Sequence, residues 1–398
     1  MDTPGQEEAT MTRPMEGVTV LDFTFMMAGP YCTRMMADLG ARVIKVEPLE
    51  GDHMRTGVPR RDGHSAYFAH LNAGKQSILL DLKQPQGRDT ALALAAKADV
   101  VIENFRPGVM DRLGLSYAAV AARSPGIIYC SISGYGQEGA YAQRPSFAPV
   151  VHAASGMDLA VMQHQQSDLP PTTSIFTADV LAGMYSLIAI QSALAVRART
   201  GRGQRLDVTL FESMFNLMPF EVQEAQFPLS STRAMYKPIR ARDGFLMVVI
   251  ITPGNFESLC EVLQRPDLRS DPRFAQSPSR AIHRAELMQE VERWTLQRSS
   301  EECEELLSRA GVPCTRYRTV RENLSHPVLT SRESFADVED GAGIVRVPNL
   351  PYRVDGTRPR VGRSVPEPGE HTAEVLRELA GVDAQRLRQL AEAGVTRP

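Results

Sequence analysis

The strongest constraint on this chain is the alternation of short β-branched runs with helical patterns over its first two hundred residues. Residues 18–23 form an apolar, β-branched run, Pro30 stands near the start of a helical stretch that Gly40 ends, and residues 43–46 read as the next strand. That is a βαβ unit, for which a right-handed crossover between parallel strands is the default. Residues 78–82 add a strand, the Ala-Leu-rich stretch 88–97 a helix, and residues 100–102 and 127–132 continue the series. The expected fold class is α/β, a doubly wound parallel sheet.

Further on, a helix is expected from Asp179 to about Thr200, a turn at Gly201-Arg202-Gly203 and a strand over 206–210. Residues 223–240, with Pro228 and Pro238, read as irregular. A strand over 245–251 and helical patterns over 255–263, 284–296 and 300–310 suggest a smaller α/β domain, broken by Gly311-Val312-Pro313. From His326 the chain turns proline-rich and irregular, then ends in helix candidates at 370–379 and 384–393. The expected boundaries are 1–220 for the large domain, 221–240 for a linker, 241–325 for the small domain and 326–398 for a closing segment.

Charge narrows the partners. The 398 residues carry 44 basic and 47 acidic side chains, a net charge of −3, which offers no bulk attraction to nucleic acid or a membrane surface. Five widely separated cysteines lack metal or disulfide spacing, which suits a reduced, cytoplasmic protein. Residues 1–14 are polar and do not resemble a signal peptide. Residues 180–196 hold no charge, the short limit for a membrane span, but include Gly183, Ser186, Gln191 and Ser192 and lead into Arg197 and Arg199. They read as a buried core helix.

Three constellations bear on chemistry. The turn Phe25-Met26-Met27-Ala28-Gly29-Pro30 has one glycine where a dinucleotide fingerprint needs three, so Glu47 after the second strand is not read as a ribose ligand. Asn104-Phe105-Arg106-Pro107-Gly108 follows a strand, at the sheet edge where ligands bind, and could hold a nucleotide or be an ordinary capped turn. Lys75, Lys83 and Arg112 lie near comparable edges and could add positive charge. Asp179 stands at the start of the uncharged helix, either as a simple cap or as a carboxylate kept ionised by the helix end while partly buried, as a nucleophile requires.

Taken together, long ordered blocks resemble the class III CoA-transferase family, which includes formyl-CoA and carnitine CoA-transferases and the related methylacyl-CoA racemases. The blocks are GVTVLDFTFMMAGPYCTRMMADLGARVIKVE (17–47), GKQSILLDLKQPQG (74–87), ADVVIENFRPGVMDRLGL (98–115), IIYCSISGYGQEGAY (127–141) and TADVLAGMYSLIAIQSALAVRARTGRGQRLDVTL (177–210). GVPCTRYRTVRENLSHPVL and GEHTAEVLREL match the family's closing segments. The resemblance implies a Rossmann-like large domain, a small inserted domain and two chains interlinked as a homodimer. It implies acyl-CoA and a carboxylic acid as substrates, with no tightly bound cofactor and no metal. It places Asp179 on the family's catalytic aspartate, which passes through acyl-aspartyl anhydride and aspartyl-CoA thioester forms. Leu80, Lys83, Asn104, Phe105 and Arg112 fall on CoA-contacting positions, with Arg106 beside them.

Departures from the family pattern bear on the reaction. The racemases' histidine corresponds to Phe147, which cannot transfer a proton, and Ala148 replaces an aspartate of many relatives. His152, five residues on from Phe147, reads as a helix or core histidine. Met27 stands where formyl-CoA transferases have glutamine, and Met27 and Phe147 together suggest an apolar acyl pocket. Gln76 replaces a common arginine. The expected function is therefore an acyl-CoA:carboxylate CoA-transferase. The alternatives are a racemase or other α-proton enzyme, and a CoA-binding or activating subunit with little turnover.

Overall fold

A computed structural model describes residues 13–227, 236–355 and 358–397. Part of the expected linker and most of the polar N-terminus, residues 228–235 and 1–12, lie outside the described residues.

Six parallel strands form one sheet: β1 (Thr19–Asp22), β2 (Arg42–Glu47), β3 (Gln76–Leu79), β4 (Val100–Glu103), β5 (Ile128–Ser133) and β6 (Gln204–Thr209). Their order is β3-β2-β1-β4-β5-β6. The inner strands are buried on both faces because successive residues serve opposite cores. Val20 packs with Val43, Val100 and Ile128 on one side, while Leu21 packs with Ile44, Val101 and Tyr129 on the other. Edge strand β6 alternates between more and less exposed residues instead. Strand order reverses between β1 and β4, so a crevice opens outside their carboxyl ends, the usual place for a ligand in such sheets.

Helices α1 (Ala28–Asp38), α4 (Ala148–Ser155) and α5 (Thr177–Thr200) cover the first face, while α3 (Pro85–Ala95) and α6 (Thr372–Ala380) cover the second. The short α2 (Ala66–Asn72) packs against α1. The compact unit built on this sheet takes in the described residues up to Gln226 and those from Thr330 onward. The described residues between Phe227 and Leu329 form a second unit. It has a three-stranded antiparallel sheet of Ile239–Arg240, Phe245–Val248 and Cys314–Arg316, with Leu246, Phe256, Leu259 and Leu307 in its core. The proline-rich stretch expected to be irregular instead contains an antiparallel ribbon, β7 (Phe335–Glu339) and β8 (Ile344–Pro348).

The uncharged helix corrects another expectation. By length and composition α5 could cross a membrane, yet only one stripe of it is buried: Ala178, Ala182, Gly183, Ser186, Ile190 and Ala193. That stripe packs on α1, β5 and β6, while Met184 and Ile188 on the helix are 44% and 54% exposed in the single chain. Its small residues let α5 press against α1. A Cβ at Gly183 would stand 2.7 Å from the Ala28 carbonyl oxygen and 3.2 Å from the Tyr31 ring. Neither a backbone oxygen nor a packed ring can yield cheaply.

Gly183→Ala is therefore expected to push the two helices apart, costing about 1–3 kcal/mol of stability. The shift should disturb Asp179, one turn away, so turnover should fall more than acyl-CoA binding. Denaturant titration with steady-state kinetics checks this, and an unchanged midpoint would mean that the contact is loose.

Candidate active site

Asp179 is the third residue of α5, whose N-cap Phe176 supplies no capping side chain. Its carboxylate faces its own backbone N–H and that of Ala28, the first residue of α1, and both favour its ionised form. Two helix N-termini, each with the positive end of its dipole, therefore converge on one carboxylate. Burial nevertheless outweighs them and pushes the Asp179 pKa up to about 6. At pH 7 roughly nine-tenths of the carboxyl is still ionised.

Asp179 lines a cavity of about 140 Å³ at the crevice where strand order reverses. Phe25 and Met26 come from the β1–α1 loop, Asn104, Phe105 and Arg106 from the end of β4, and Arg144 and Phe147 from the segment before α4. Met27 is not on the wall. Met26 takes its place because its left-handed backbone (φ 66°) carries the chain round before α1 begins. Phe147 is 58% exposed.

The other residues read from the sequence sit as follows. Asn104 lines the cavity and also ties the β1–α1 loop: its Oδ1 accepts the Phe25 N–H (3.0 Å) and its Nδ2 donates one N–H to the Phe25 carbonyl (2.7 Å). Phe105 packs its ring on Phe25, with centroids 5.4 Å apart, and donates its N–H to the buried Glu103 carboxylate. Leu80 is buried in the second core, so only its backbone can face a ligand. Lys83 and Arg112 are exposed but do not line the cavity, whereas exposed Arg106 does. Lys75 is no free edge charge, because its Nζ lies buried on Asp22 (3.0 Å), the Pro30 carbonyl (3.1 Å) and Asn72 (2.9 Å). Gln76 accepts from Arg42 (2.8 Å), which pairs with Glu378.

Comparison with known proteins settles the family. The profile of CoA-transferase family III matches residues 15–372. The chain belongs to CoA-transferase family III. It is 32% identical to the succinyl-CoA–L-malate CoA-transferase alpha subunit of Chloroflexus aurantiacus, over 98% of this chain and 94% of that one. It is 33% identical to the acetyl-CoA:oxalate CoA-transferase of Acetobacter aceti, over 94% and 97% respectively. A CAIB/BAIF family protein from Brucella suis superposes with a TM-score of 0.80 at 33% identity, covering 92% of this chain and all of that one. This class III CoA-transferase moves CoA from an acyl-CoA thioester to a carboxylic acid.

In this transferase a buried charge network holds the β1–α1 loop. Asp22 accepts from Thr24 N–H (2.9 Å) and Thr33 Oγ (2.6 Å) and pairs with Lys75. Lys45 donates to the Thr24 carbonyl (2.7 Å) and pairs with Asp52 (2.8 Å). Burial alone would raise the Asp22 pKa, but Lys75 and Lys45 hold it below the usual carboxylate range. Removing one member of such a network strands a buried charge, at about 3–5 kcal/mol. This scaffold stabilises the left-handed Met26 and fixes the Ala28 N–H that meets Asp179.

Tyr67 and Arg144 near the site carry no spacing signal that would have marked them, and His152 is the core histidine that the sequence suggested. Tyr67 of α2 lies close enough to Asp179 for burial and the carboxylate's charge to push its phenol up to about 12, so it stays a hydrogen-bond donor at neutral pH. Arg144 lines the cavity with its guanidinium over the Tyr141 ring, 3.6 Å from the centroid. His152 is buried, and its Nε2 accepts the Ala178 N–H (3.1 Å).

With its pKa raised to about 6, Asp179 is ionised above that pH and protonated below it. The value of kcat/KM for acyl-CoA should then be level near pH 7.5 and fall about tenfold per unit below pH 6. A profile level down to pH 5 would show that no group with so raised a pKa must be ionised.

Proposed function

We propose that Asp179 carries the transfer covalently. The supporting observation is a desolvated, mostly ionised carboxylate on the cavity wall, held by two helix N-termini beside Arg106 and Arg144. A carboxylate oxygen of Asp179 attacks the thioester carbonyl, CoA leaves as thiolate, and an acyl-aspartyl anhydride forms. The thiolate then attacks the aspartyl carbonyl, releasing the donor acid and leaving an aspartyl-CoA thioester. The incoming carboxylate displaces the thiolate to form a second anhydride. Attack by the thiolate on the new acyl carbonyl yields the product acyl-CoA and restores the Asp179 carboxylate. No step moves a proton, which suits a cavity where Phe147 stands at the racemases' histidine position and the Nε2 of His152 already accepts a backbone N–H.

Exposed Arg106, Arg112 and Lys83 supply positive charge for the phosphates of CoA, while Asn104 and Phe105 act by shaping the loop it passes. Succinate, malate and oxalate, three of the four acids named for the two relatives above, have a second carboxylate, while acetate has one. Arg144 would receive that group here, because a guanidinium stacked on an aromatic ring keeps its N–H edge for a bidentate contact. The exposed apolar face of α5 would be covered by a second copy, in the interlinked homodimer that the family resemblance implies. The enzyme would work in the cytoplasm without a tightly bound cofactor.

One assay tests these roles. Asp179→Asn should lose roughly a thousandfold or more in turnover, about 4 kcal/mol of barrier. It should fold at least as stably, since it removes a carboxylate that burial disfavours. Arg144→Gln should raise the apparent KM for a dicarboxylic acid roughly tenfold or more, and leave that for a monocarboxylic acid nearly unchanged. Retained turnover in Asp179→Asn would reduce Asp179 to an acid in the first turn of α5, and equal losses for both acid classes would remove Arg144 from acid recognition.

A further inference from the structure

The four backbone donors at the start of α5 do not all meet the same kind of partner. Thr177 N–H donates to the Ile175 carbonyl (3.0 Å) and Val180 N–H to the Phe176 carbonyl (3.2 Å). Asp179 N–H faces its own carboxylate. Ala178 N–H donates to His152 Nε2 (3.1 Å), with Ala178 fully buried and His152 only 1% exposed. An N–H so placed has no water to fall back on.

Among these bonds, those of Thr177 and Val180 stay within the segment 175–180 and do not tie it to the rest of the fold. Two ties leave the segment: the Asp179 carboxylate faces the Ala28 N–H of α1, and His152 of α4 accepts the Ala178 N–H. They respond differently to the reaction. Once Asp179 is acylated or carries CoA it is neutral, and its carbonyl is a much weaker acceptor than a carboxylate. The bond from His152 does not depend on that charge.

We propose that His152 is a positioning residue for Asp179, a neutral imidazole acceptor that holds the first turn of α5 in register while the Asp179 carboxyl is covalently occupied. Accepting at Nε2 requires the tautomer with its proton on Nδ1. Burial favours the uncharged ring, against a weaker opposing pull from Asp158. Protonation would set an N–H against the Ala178 N–H and the positive end of the helix dipole. Loss of the bond should therefore slow discharge of the aspartyl intermediates, with little effect on the binding of acyl-CoA.

This inference rests on the covalent role of Asp179, and the experiment separates the two. His152→Leu removes the acceptor, while His152→Gln keeps one on a side chain of similar reach. His152→Leu should lower kcat about tenfold or more, equivalent to ~1.4 kcal/mol, with KM for acyl-CoA unchanged and a covalent adduct that decays more slowly. His152→Gln should recover to within about threefold of the wild type. Unchanged kcat in His152→Leu, in an enzyme that still depends on Asp179, overturns the inference alone, as does a folded His152→Gln no better than His152→Leu. Full turnover in Asp179→Asn would overturn the covalent reading itself. Should His152→Leu fail to fold, ¹⁵N NMR of histidine-labelled wild-type enzyme decides: an unprotonated Nε2 at neutral pH supports the assignment, and a protonated one overturns it.

Discussion

The Asp179 carboxylate sits where the N-termini of α1 and α5 meet, and most of the architecture of this crevice serves that meeting. Each helix brings one N–H and a positive dipole end to the carboxylate, which stabilise an anion. The close approach that brings them together also excludes water, which destabilises it. Burial wins, and the carboxyl titrates near 6 rather than in the usual range. An anion held this way remains mostly ionised at neutral pH yet poorly solvated, a condition that suits attack on a thioester.

Holding that geometry requires rigid neighbours on both sides. On the α1 side, Asp22, Lys75, Lys45 and Asp52 lock the loop that ends in Ala28, and Asn104 clamps Phe25 from the end of β4. On the α5 side, Gly183 admits the Ala28 carbonyl, and His152 takes up the Ala178 N–H. The left-handed Met26 fits this pattern, since an unfavourable backbone conformation persists at a site when the surroundings over-determine it.

The parallel sheet was legible because its inner strands must be apolar on both faces, and the Val20-Leu21 pair divides between two cores accordingly. Asp179 was legible too, since an acid directly before a long uncharged run marks a helix start. What escaped depends on contacts between segments distant in sequence. Nothing near Lys75 reveals that its ammonium will be buried on Asp22, 53 residues away. Sequence cannot show that Asn104 also bonds the backbone of Phe25 through both of its polar atoms. Met27 gave way to Met26 because one positive φ redirects the chain. The ribbon β7–β8 did carry a local signal, Asp340-Gly341 between alternating valines, which the surrounding prolines obscured.

Oxygen exchange into Asp179 tests the central claim most directly. In the covalent route the anhydride breaks so that an oxygen of the acceptor acid stays on the aspartyl carboxyl. Turnover with acyl-CoA and an ¹⁸O-carboxylate acceptor, followed by proteolysis and mass spectrometry, should therefore place heavy oxygen in the peptide containing Asp179 and leave other acidic residues unlabelled. Formation of the new acyl-CoA with an unlabelled Asp179 would contradict the account, because the acid would have reached CoA without passing through that carboxyl.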